Sequence, residues 1–220
     1  MVRTLIPELV LLDPEAGAAQ LKQVFGFSRQ GDRLVLGDQA VLLTKGTTDG
    51  RHGRMDHIAL SVPDLGAALG QCLSRGGRLS DATPEGPLTI MEFWENGIEY
   101  VFLDGPEGAK VELVSQRAPS PPRPWGHDHI GISCIELAPM RNFFLDLGLT
   151  ERAATTLDRP EGQVEVAFLS WGDSMVELYS LPETRADPAR TSGLGFWRRL
   201  RTQGMLERRV GPEGIELLPL

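Results

Sequence analysis

Two histidines stand near the start of two similar segments, MDHIALSVPDL at 55–65 and DHIGISCIEL at 128–137. Residues of a strand point alternately to opposite faces, so every second residue shares a face. The face with the histidine otherwise holds small residues: Ala59 and Ser61 beside His57, and Gly131 and Ser133 beside His129. Small residues leave space around an imidazole. Each segment therefore predicts a strand that lines a cavity containing a histidine.

Glutamates occupy matching positions further along the chain: Glu112 in KVELV, Glu177 in MVELY and Glu216 in IELLP. Each lies between apolar residues, where an ionised carboxylate is costly unless it is paired or binds a metal. Two imidazoles with two carboxylates suit Zn²⁺, Ni²⁺, Co²⁺, Mn²⁺ or Fe²⁺ better than Ca²⁺ or Mg²⁺. The pattern therefore predicts a divalent ion bound by two histidines and two glutamates, with His57, His129, Glu112, Glu177 and Glu216 as the candidates. The alternative is that the histidines are ordinary strand residues and the glutamates are edge or surface charges.

An internal repeat of roughly 50 to 60 residues organises the chain. AKVELVS at 109–115 matches SMVELYS at 174–180, and GPEG occurs at 105–108 and again at 211–214. We predict an abbreviated module at 1–52, complete modules at 53–117 and 118–182, and an abbreviated C-terminal module at 183–220. The proline-rich segment 117–125 is a stiff connector.

Hydrophobic periodicity and turn residues predict the elements. Helices are expected from Pro14, from Leu65, over 137–147 and over 196–201, and the last module has a missing or very short first strand. Asn96-Gly97 is expected to form a tight hairpin turn. Strands are predicted at 5–12, 33–36, 39–44, 55–62, 89–95, 98–103, 109–115, 128–134, 163–170, 174–180 and 215–218.

The bulk composition excludes several classes of protein. The chain has 220 residues, 41% hydrophobic and 24% charged, which is enough for a packed core. A net charge of −8 and a pI near 5.1 argue against nucleic-acid and anionic-membrane partners. Cys72 and Cys134 lie far apart and do not suggest a disulfide framework, and there is no signal-peptide pattern. We expect a cytoplasmic protein.

The pairs DHIALSV/KVELV and DHIGISC/MVELY resemble the vicinal oxygen chelate superfamily, which includes glyoxalase I, methylmalonyl-CoA epimerase, extradiol dioxygenases and bleomycin-resistance proteins. The resemblance covers nearly the whole chain and is strongest over 55–116 and 127–180. It implies an α+β fold of tandem βαβββ modules that form U-shaped, half-open β-barrels with the helices outside. This chain would be the four-module tandem form, and either a monomer or a homodimer.

Two ways of pairing the modules remain open. Pairing neighbours gives incomplete ligand sets, Glu8/His57/Glu112 and His129/Glu177/Glu216. Pairing the second module with the third, and the first with the fourth, gives one complete set, His57/Glu112/His129/Glu177. The other set is incomplete and contains Glu8 and Glu216. Resemblance to four-module glyoxalase I favours the crossed pairing.

The resemblance also implies metal-assisted chemistry on two vicinal oxygens of a substrate, through an enolate-type intermediate, with Glu112 or Glu177 as the base. The expected activity is that of a glyoxalase-like lyase or isomerase. Two alternatives are a metal-free drug-binding protein of the bleomycin-resistance type and an extradiol-type dioxygenase. The second glutamate argues against the dioxygenase, which more often uses two histidines and one carboxylate.

Other residues are weaker candidates. Lys110 shares strand parity with Glu112, and Tyr179 with Glu177, so both are candidates to line the cavity. Phe93, Trp94, Tyr100 and Phe168 form either an aromatic wall or core. His52 and His127 are expected in solvated loops, and the RRLR segment at 198–201 on the wet face of a helix.

Overall fold

A computed structural model describes residues 4–49, 53–117, 121–191, 193–203 and 205–220. The first module contains β1 (Thr4–Leu11), α1 (Pro14–Gln20) continued by a π-helical turn (Leu21–Phe25), β2 (Ser28–Gln30), β3 (Arg33–Leu36) and β4 (Gln39–Lys45). The second contains β5 (Met55–Ser61), α2 (Leu65–Ser74), β6 (Leu88–Ile90), β7 (Ile98–Asp104) and β8 (Lys110–Gln116). The third contains β9 (Gly126–Ser133), α3 (Leu137–Asp146), β10 (Thr150–Arg159), β11 (Gly162–Trp171) and β12 (Ser174–Ser180). The remainder contains α4 (Pro182–Ala186), β13 (Trp197–Gln203), β14 (Arg209–Val210) and β15 (Glu216–Pro219).

The predicted α+β class and tandem βαβββ order are confirmed, and the strands form one sheet that is not closed into a barrel. Within each module the first and last strands pair in parallel, as β5 does with β8 and β9 with β12. The helices bury apolar residues such as Cys72 and Phe144 in a core shared with the strands. The chain division at residues 52, 117 and 182 stays a prediction.

The crossed pairing of modules is present in the sheet. β5 of the second module pairs antiparallel with β9 of the third, and β1 of the first pairs antiparallel with β13 of the fourth. We call these the inner and outer pairs. A single register contact, Trp197 with Met55, joins β13 to β5. The inner pair holds both histidine strands, and both are buried along their whole length.

The two GPEG segments form short turns that cap helices of the preceding modules. Glu107 accepts hydrogen bonds from the backbone N–H groups of Leu12 and Asp13, at 3.1 and 3.0 Å, just before α1. Glu213 accepts from the N–H of Ile135 at 2.9 Å, just before α3. Both glutamates have a φ of 55°, in the left-handed region, which aims their carboxylates at these helix ends. The sequence repeat GPEG is therefore a capping device.

Several predicted elements were wrong. Residues 197–201 of the predicted helix lie in the strand β13, which pairs with β1, and Arg198 is the extra residue of a bulge opposite Glu8 and Leu9. The bulge places the buried Trp197 and Leu200 three residues apart, a spacing that imitates a helix. The first strand of the fourth module is therefore present. What the described residues lack there is a helix between β13 and β14.

Strand predictions were wrong at three further places. The predicted strand 89–95 is limited to β6, and Ile90 pairs with Ile98, so Asn96-Gly97 ends a longer loop and is not a tight hairpin turn. β2 and β10 were not predicted. Most residues of β10 are small or polar and no more than half-buried, so the strand lacks an apolar alternation. Residues 118–120 of the predicted connector lie outside the described residues.

No helix among the described residues combines the length and apolar character needed to cross a membrane.

Candidate metal centre

The inner pair brings the four predicted ligands into two rows across four neighbouring strands. Lys110, His57, Gly131 and Glu177 form one row on β8, β5, β9 and β12, and Glu112, Ala59 and His129 form the next. Each histidine thus faces a small residue on the opposite strand. The small residues noted in the sequence provide the space in which the two imidazoles meet.

Donor atoms of all four side chains converge. The two Nε2 atoms of His57 and His129 lie 3.3 Å apart. Glu112 Oε2 lies 3.2 Å from each of them, and Glu177 Oε2 lies 3.3 Å from His129 Nε2 and 3.8 Å from His57 Nε2. Candidate ligand atoms of His57, His129 and Glu177 all fall within 4.8 Å of one another. We include Glu112 in the set because its two distances to the imidazoles are the shortest.

An aspartate precedes each histidine and holds its ring. Asp56 Oδ2 lies 3.0 Å from His57 Nδ1, and Asp128 Oδ1 lies 2.8 Å from His129 Nδ1. Both aspartates are the extra residue of a β-bulge in the β5–β9 pair. A bulge re-aims a side chain, which lets each carboxylate reach the ring that follows it. The repeated Asp-His dipeptide is the signal in the sequence that could have found these residues.

These contacts set the tautomer of both rings. Burial alone would raise the pKa of Asp56, but Lys110 and His57 hold the pKa below its usual range. Burial likewise opposes ionisation of Asp128, yet contact with His129 lowers its pKa. An ionised carboxylate only accepts hydrogen bonds, so each Nδ1 donates its proton, and in the neutral ring Nε2 is the nitrogen left to bind a metal.

The four-residue cluster carries strongly coupled charges. Burial would lower the pKa of His129, but the carboxylates of Glu177, Asp128 and Glu112 raise it well above the usual value. Asp56 and Glu112 likewise outweigh burial and raise the pKa of His57. Burial would raise the pKa of Glu112, and the two imidazoles lower it. The site thus favours positive charge between its donor atoms.

The donor set fits a divalent ion. Two ligand atoms about 2.0 Å from one tetrahedral ion lie roughly 3.3 Å apart, close to four of the five donor distances above. Glu112 Oε2 is buried and has no hydrogen-bond partner of acceptable geometry among the described residues. A buried carboxylate oxygen of this kind normally has a partner. A bound cation would satisfy this oxygen and the two imidazole Nε2 atoms beside it.

A cavity of about 1020 Å³ opens above the cluster. Lys110 and Tyr179 line it together with the four predicted ligands. Apolar residues Phe93, Leu157 and Val166 also line it. The ring of Phe168 contacts both Phe93 and His129, with centroids 5.0 and 5.4 Å apart, so the aromatic cluster packs against the site.

Comparisons with known proteins identify the fold. Glyoxalase I from Zea mays is 15% identical to this chain, with a TM-score of 0.68 over 99% of this chain and 92% of that one. A variant of the same enzyme has a TM-score of 0.73 at 14% identity, over 99% of this chain and 93% of that one. A proposed dioxygenase from Bacillus subtilis has a TM-score of 0.58 at 11% identity, over 97% of this chain and 83% of that one.

The chain has the vicinal oxygen chelate fold. No protein-family profile and no curated protein sequence matches the chain. At identities this low the structural likeness concerns the fold, and the chemistry of the chain must be argued from its own residues.

The outer pair of this vicinal oxygen chelate fold holds an ion-pair cluster at the corresponding position. Glu8 is fully buried and contacts Arg199 Nη1 at 3.3 Å and Arg201 Nε at 3.0 Å. Glu216 contacts Arg199 Nε at 2.9 Å and also pairs with Arg208. The Arg199 guanidinium thus bridges Glu8 and Glu216. The prediction that the RRLR segment lies on the wet face of a helix was wrong, since two of its arginines bind Glu8 from a strand.

The prediction for His127 was also wrong. His127 lies on β9 and is buried, with Nδ1 2.6 Å from Gln39 Oε1 and Nε2 accepting from Met175 N–H at 2.8 Å. Burial lowers its pKa to about 4. This neutral histidine links the first and third modules and points away from the cluster. His52 lies outside the described residues.

Proposed function

We propose that the chain is a metal-dependent, glyoxalase-like lyase or isomerase that acts on a small molecule with vicinal oxygens. One observation carries the proposal: two imidazole Nε2 atoms 3.3 Å apart and a buried carboxylate oxygen without a hydrogen bond meet at the wall of a large cavity. His57, Glu112, His129 and Glu177 would hold one divalent ion, of zinc, nickel, cobalt, manganese or iron.

A bound divalent ion would supply Lewis acidity that makes a C–H next to a carbonyl easier to deprotonate. Asp56 and Asp128 would keep both imidazoles in the metal-binding tautomer. The proton would be taken by one of the two glutamates. The side chain of Glu177 is 18% exposed and that of Glu112 is 6% exposed, so Glu177 has the better access to a ligand in the cavity. We assign Glu177 as the first candidate base and Glu112 as the second.

All four proposed ligands come from one chain, so a monomer would contain a complete site, and a homodimer would contain two. Cys72 and Cys134 are free and buried, which suits work in a reducing cytoplasm. The apolar residues that line the cavity suit a substrate with an apolar part.

Metal analysis of the purified protein tests the proposal. We expect about one divalent ion per chain, and His57→Ala and His129→Ala should each abolish it. His127→Gln is the matched control, because His127 lies on the same strand as His129 but bonds to other partners. The proposal fails if the wild-type protein remains metal-free after incubation with Zn²⁺, Ni²⁺ and Co²⁺.

Proton exchange in D₂O then tests the chemistry. The metal-loaded protein should exchange the C–H next to the carbonyl in a panel of small 2-hydroxy carbonyl compounds, followed by NMR. Glu177→Gln should reduce the rate of exchange at least 100-fold, and the variant should remain folded. If exchange persists in Glu177→Gln and is lost when Glu112 is replaced, Glu112 is the base.

A second candidate function is metal-free binding of an apolar small molecule. The apolar lining of the cavity, with Phe93, Leu157 and Val166, favours it. In that case the four-residue cluster would be a structural ion-pair network, and His57→Ala would lower stability without changing metal content.

A further inference from the structure

Lys110 lies at the edge of the candidate metal centre and lines the same cavity. It stands directly beside His57 in the β5–β8 register and two residues before Glu112, on the same strand face. Its Nζ lies 2.6 Å from Asp56 Oδ2, the oxygen that also holds His57 Nδ1. The Asp56 carboxylate and the His57 ring thus lie between Lys110 and His57 Nε2, the nitrogen proposed to bind the metal.

Lys110 still has donors to offer a ligand. An ammonium group carries three N–H donors, and the contact with Asp56 uses one. The side chain is 16% exposed and its Nζ lies 5.5 Å from the centre of the Phe102 ring, which is another residue of the cavity wall. Asp56 is shared, because the same carboxylate oxygen also binds His57 Nδ1.

The other basic side chains near the site are placed differently. Arg123 is the counterpart of Lys110 on the His129 side, since it pairs with Asp128, but it lines a separate polar pocket of about 290 Å³. Arg159 lines the main cavity, but it pairs with Glu92 at 2.8 Å and its side chain is 33% exposed, as at a rim. Among the described lining residues, Lys110 is the basic side chain next to the cluster.

We propose that Lys110 binds an anionic oxygen of the substrate, which makes the preferred substrate a vicinal-oxygen compound with a carboxylate, such as a 2-hydroxy or 2-oxo acid. This inference rests on the proposed function. Two glutamates already balance the charge of a divalent ion, so the ligand set alone gives no preference for an anion. The preference comes from a charge-assisted hydrogen bond that Lys110 donates at the edge of the site.

Binding of oxalate to the Co²⁺-loaded protein tests this role. Oxalate presents two vicinal oxygens and keeps further carboxylate oxygens for Lys110, whereas acetohydroxamate presents two vicinal oxygens and no carboxylate. Titrations would follow the cobalt absorption bands. Lys110→Gln should weaken oxalate binding at least 10-fold and change acetohydroxamate binding less than 2-fold, with the cobalt content unchanged. Lys22→Gln, at an exposed lysine, should change neither.

The outcomes separate the two proposals. If the wild-type protein binds none of Zn²⁺, Ni²⁺ and Co²⁺, the proposed function fails and the Lys110 role fails with it; if it binds zinc or nickel and no cobalt, the same titrations are made calorimetrically on that form. If cobalt binds and Lys110→Gln binds oxalate as tightly as wild type, only the Lys110 role is overturned. An equal loss for oxalate and acetohydroxamate would also overturn it, since Lys110 would then act only through His57.

A second variant covers the case in which Lys110→Gln does not fold or loses cobalt. The double variant D56N/K110Q removes both charges and keeps two groups that can hydrogen-bond to each other. It should bind cobalt and show the same selective loss of oxalate affinity. A double variant that binds cobalt and retains wild-type oxalate affinity would exclude the role of Lys110.

Discussion

The imidazole of His57 occupies the space that a side chain at position 131 would need. A Cβ atom built on Gly131 would lie 2.0 Å from His57 Cε1, far inside van der Waals contact. Gly131 is the residue that faces His57 across the β5–β9 pair, and Ala59 faces His129 in the same way. The ligand cluster therefore depends on the small residues that face each histidine from the opposite strand.

Gly131→Ala should disrupt the candidate metal centre while leaving a folded protein. The new methyl group would push the His57 ring out of line with Glu112 and His129. We expect a loss of metal affinity of at least 10-fold and a loss of about 1–3 kcal/mol in the free energy of unfolding. Isothermal titration with Zn²⁺ and urea unfolding measure the two effects. Gly70→Ala is the control, because Gly70 lies in α2 with no atom within 4 Å of the added Cβ, and it should stabilise by roughly 0.5–1 kcal/mol.

Asp56→Asn and Asp128→Asn should each weaken metal binding by roughly 10- to 100-fold without removing a ligand. An asparagine can bond to Nδ1 in either orientation, so the ring is no longer fixed with its lone pair on Nε2. Competition against a chelator measures the affinity. Asp146→Asn, at an exposed aspartate at the end of α3, should leave affinity unchanged. Wild-type affinity in both site variants would mean that the aspartates serve folding alone.

The sequence was sufficient to choose four side chains that meet in the inner pair, but not the residues that support them. Two Asp-His strands and two glutamate strands in matching repeat positions allowed His57, Glu112, His129 and Glu177 to be chosen together, and the structure brings them together. The bulges that aim Asp56 and Asp128 insert one residue without a composition signal, so local pattern could not reveal them. The bulge at Arg198 has no composition signal either, and it gives the buried residues of β13 a helix-like spacing. Burial of His127 depends on Gln39, a residue 88 positions away.

The glutamate caps should differ in strength. Glu213 is mostly buried, pairs with Arg54 and accepts from the start of α3, whereas Glu107 caps α1 from a more exposed position. We expect Glu213→Ala to lower the free energy of unfolding by about 2 kcal/mol and Glu107→Ala by about 0.5–1 kcal/mol. Glu107→Gly should cost less than Glu107→Ala, because glycine relieves the left-handed backbone. Urea midpoints rank the variants, and equal costs for alanine and glycine at 107 would contradict the backbone part of the argument.

The outer pair should be stabilised by its arginines and need no metal. Glu8 is buried under Arg199 and Arg201, and Glu8→Gln would leave both guanidinium groups without that carboxylate. Because the arginines are about one-third exposed, we expect a loss of roughly 2–3 kcal/mol and not the larger cost of a fully buried pair. The metal content of the folded variant should stay at the wild-type value. A second ion per wild-type chain, or a loss of metal in Glu8→Gln, would show that the outer cluster also binds a cation.

The pH dependence of stability should report the outer cluster through Glu216. Contact with Arg208 has the largest effect and lowers the pKa of Glu216; burial opposes it, and contact with Arg199 lowers the pKa further. A carboxyl whose pKa is lower in the folded than in the unfolded protein stabilises the fold above its unfolded pKa, and this contribution is lost as pH falls through the folded pKa. The free energy of unfolding of the wild-type protein should therefore exceed that of Glu216→Gln at pH 7. The difference should shrink below about pH 4. Glu15→Gln, which breaks an exposed pair with Arg29, should show little difference at either pH. A Glu216→Gln difference that is constant between pH 7 and pH 3 would mean that the glutamate acts through packing and not through its charge.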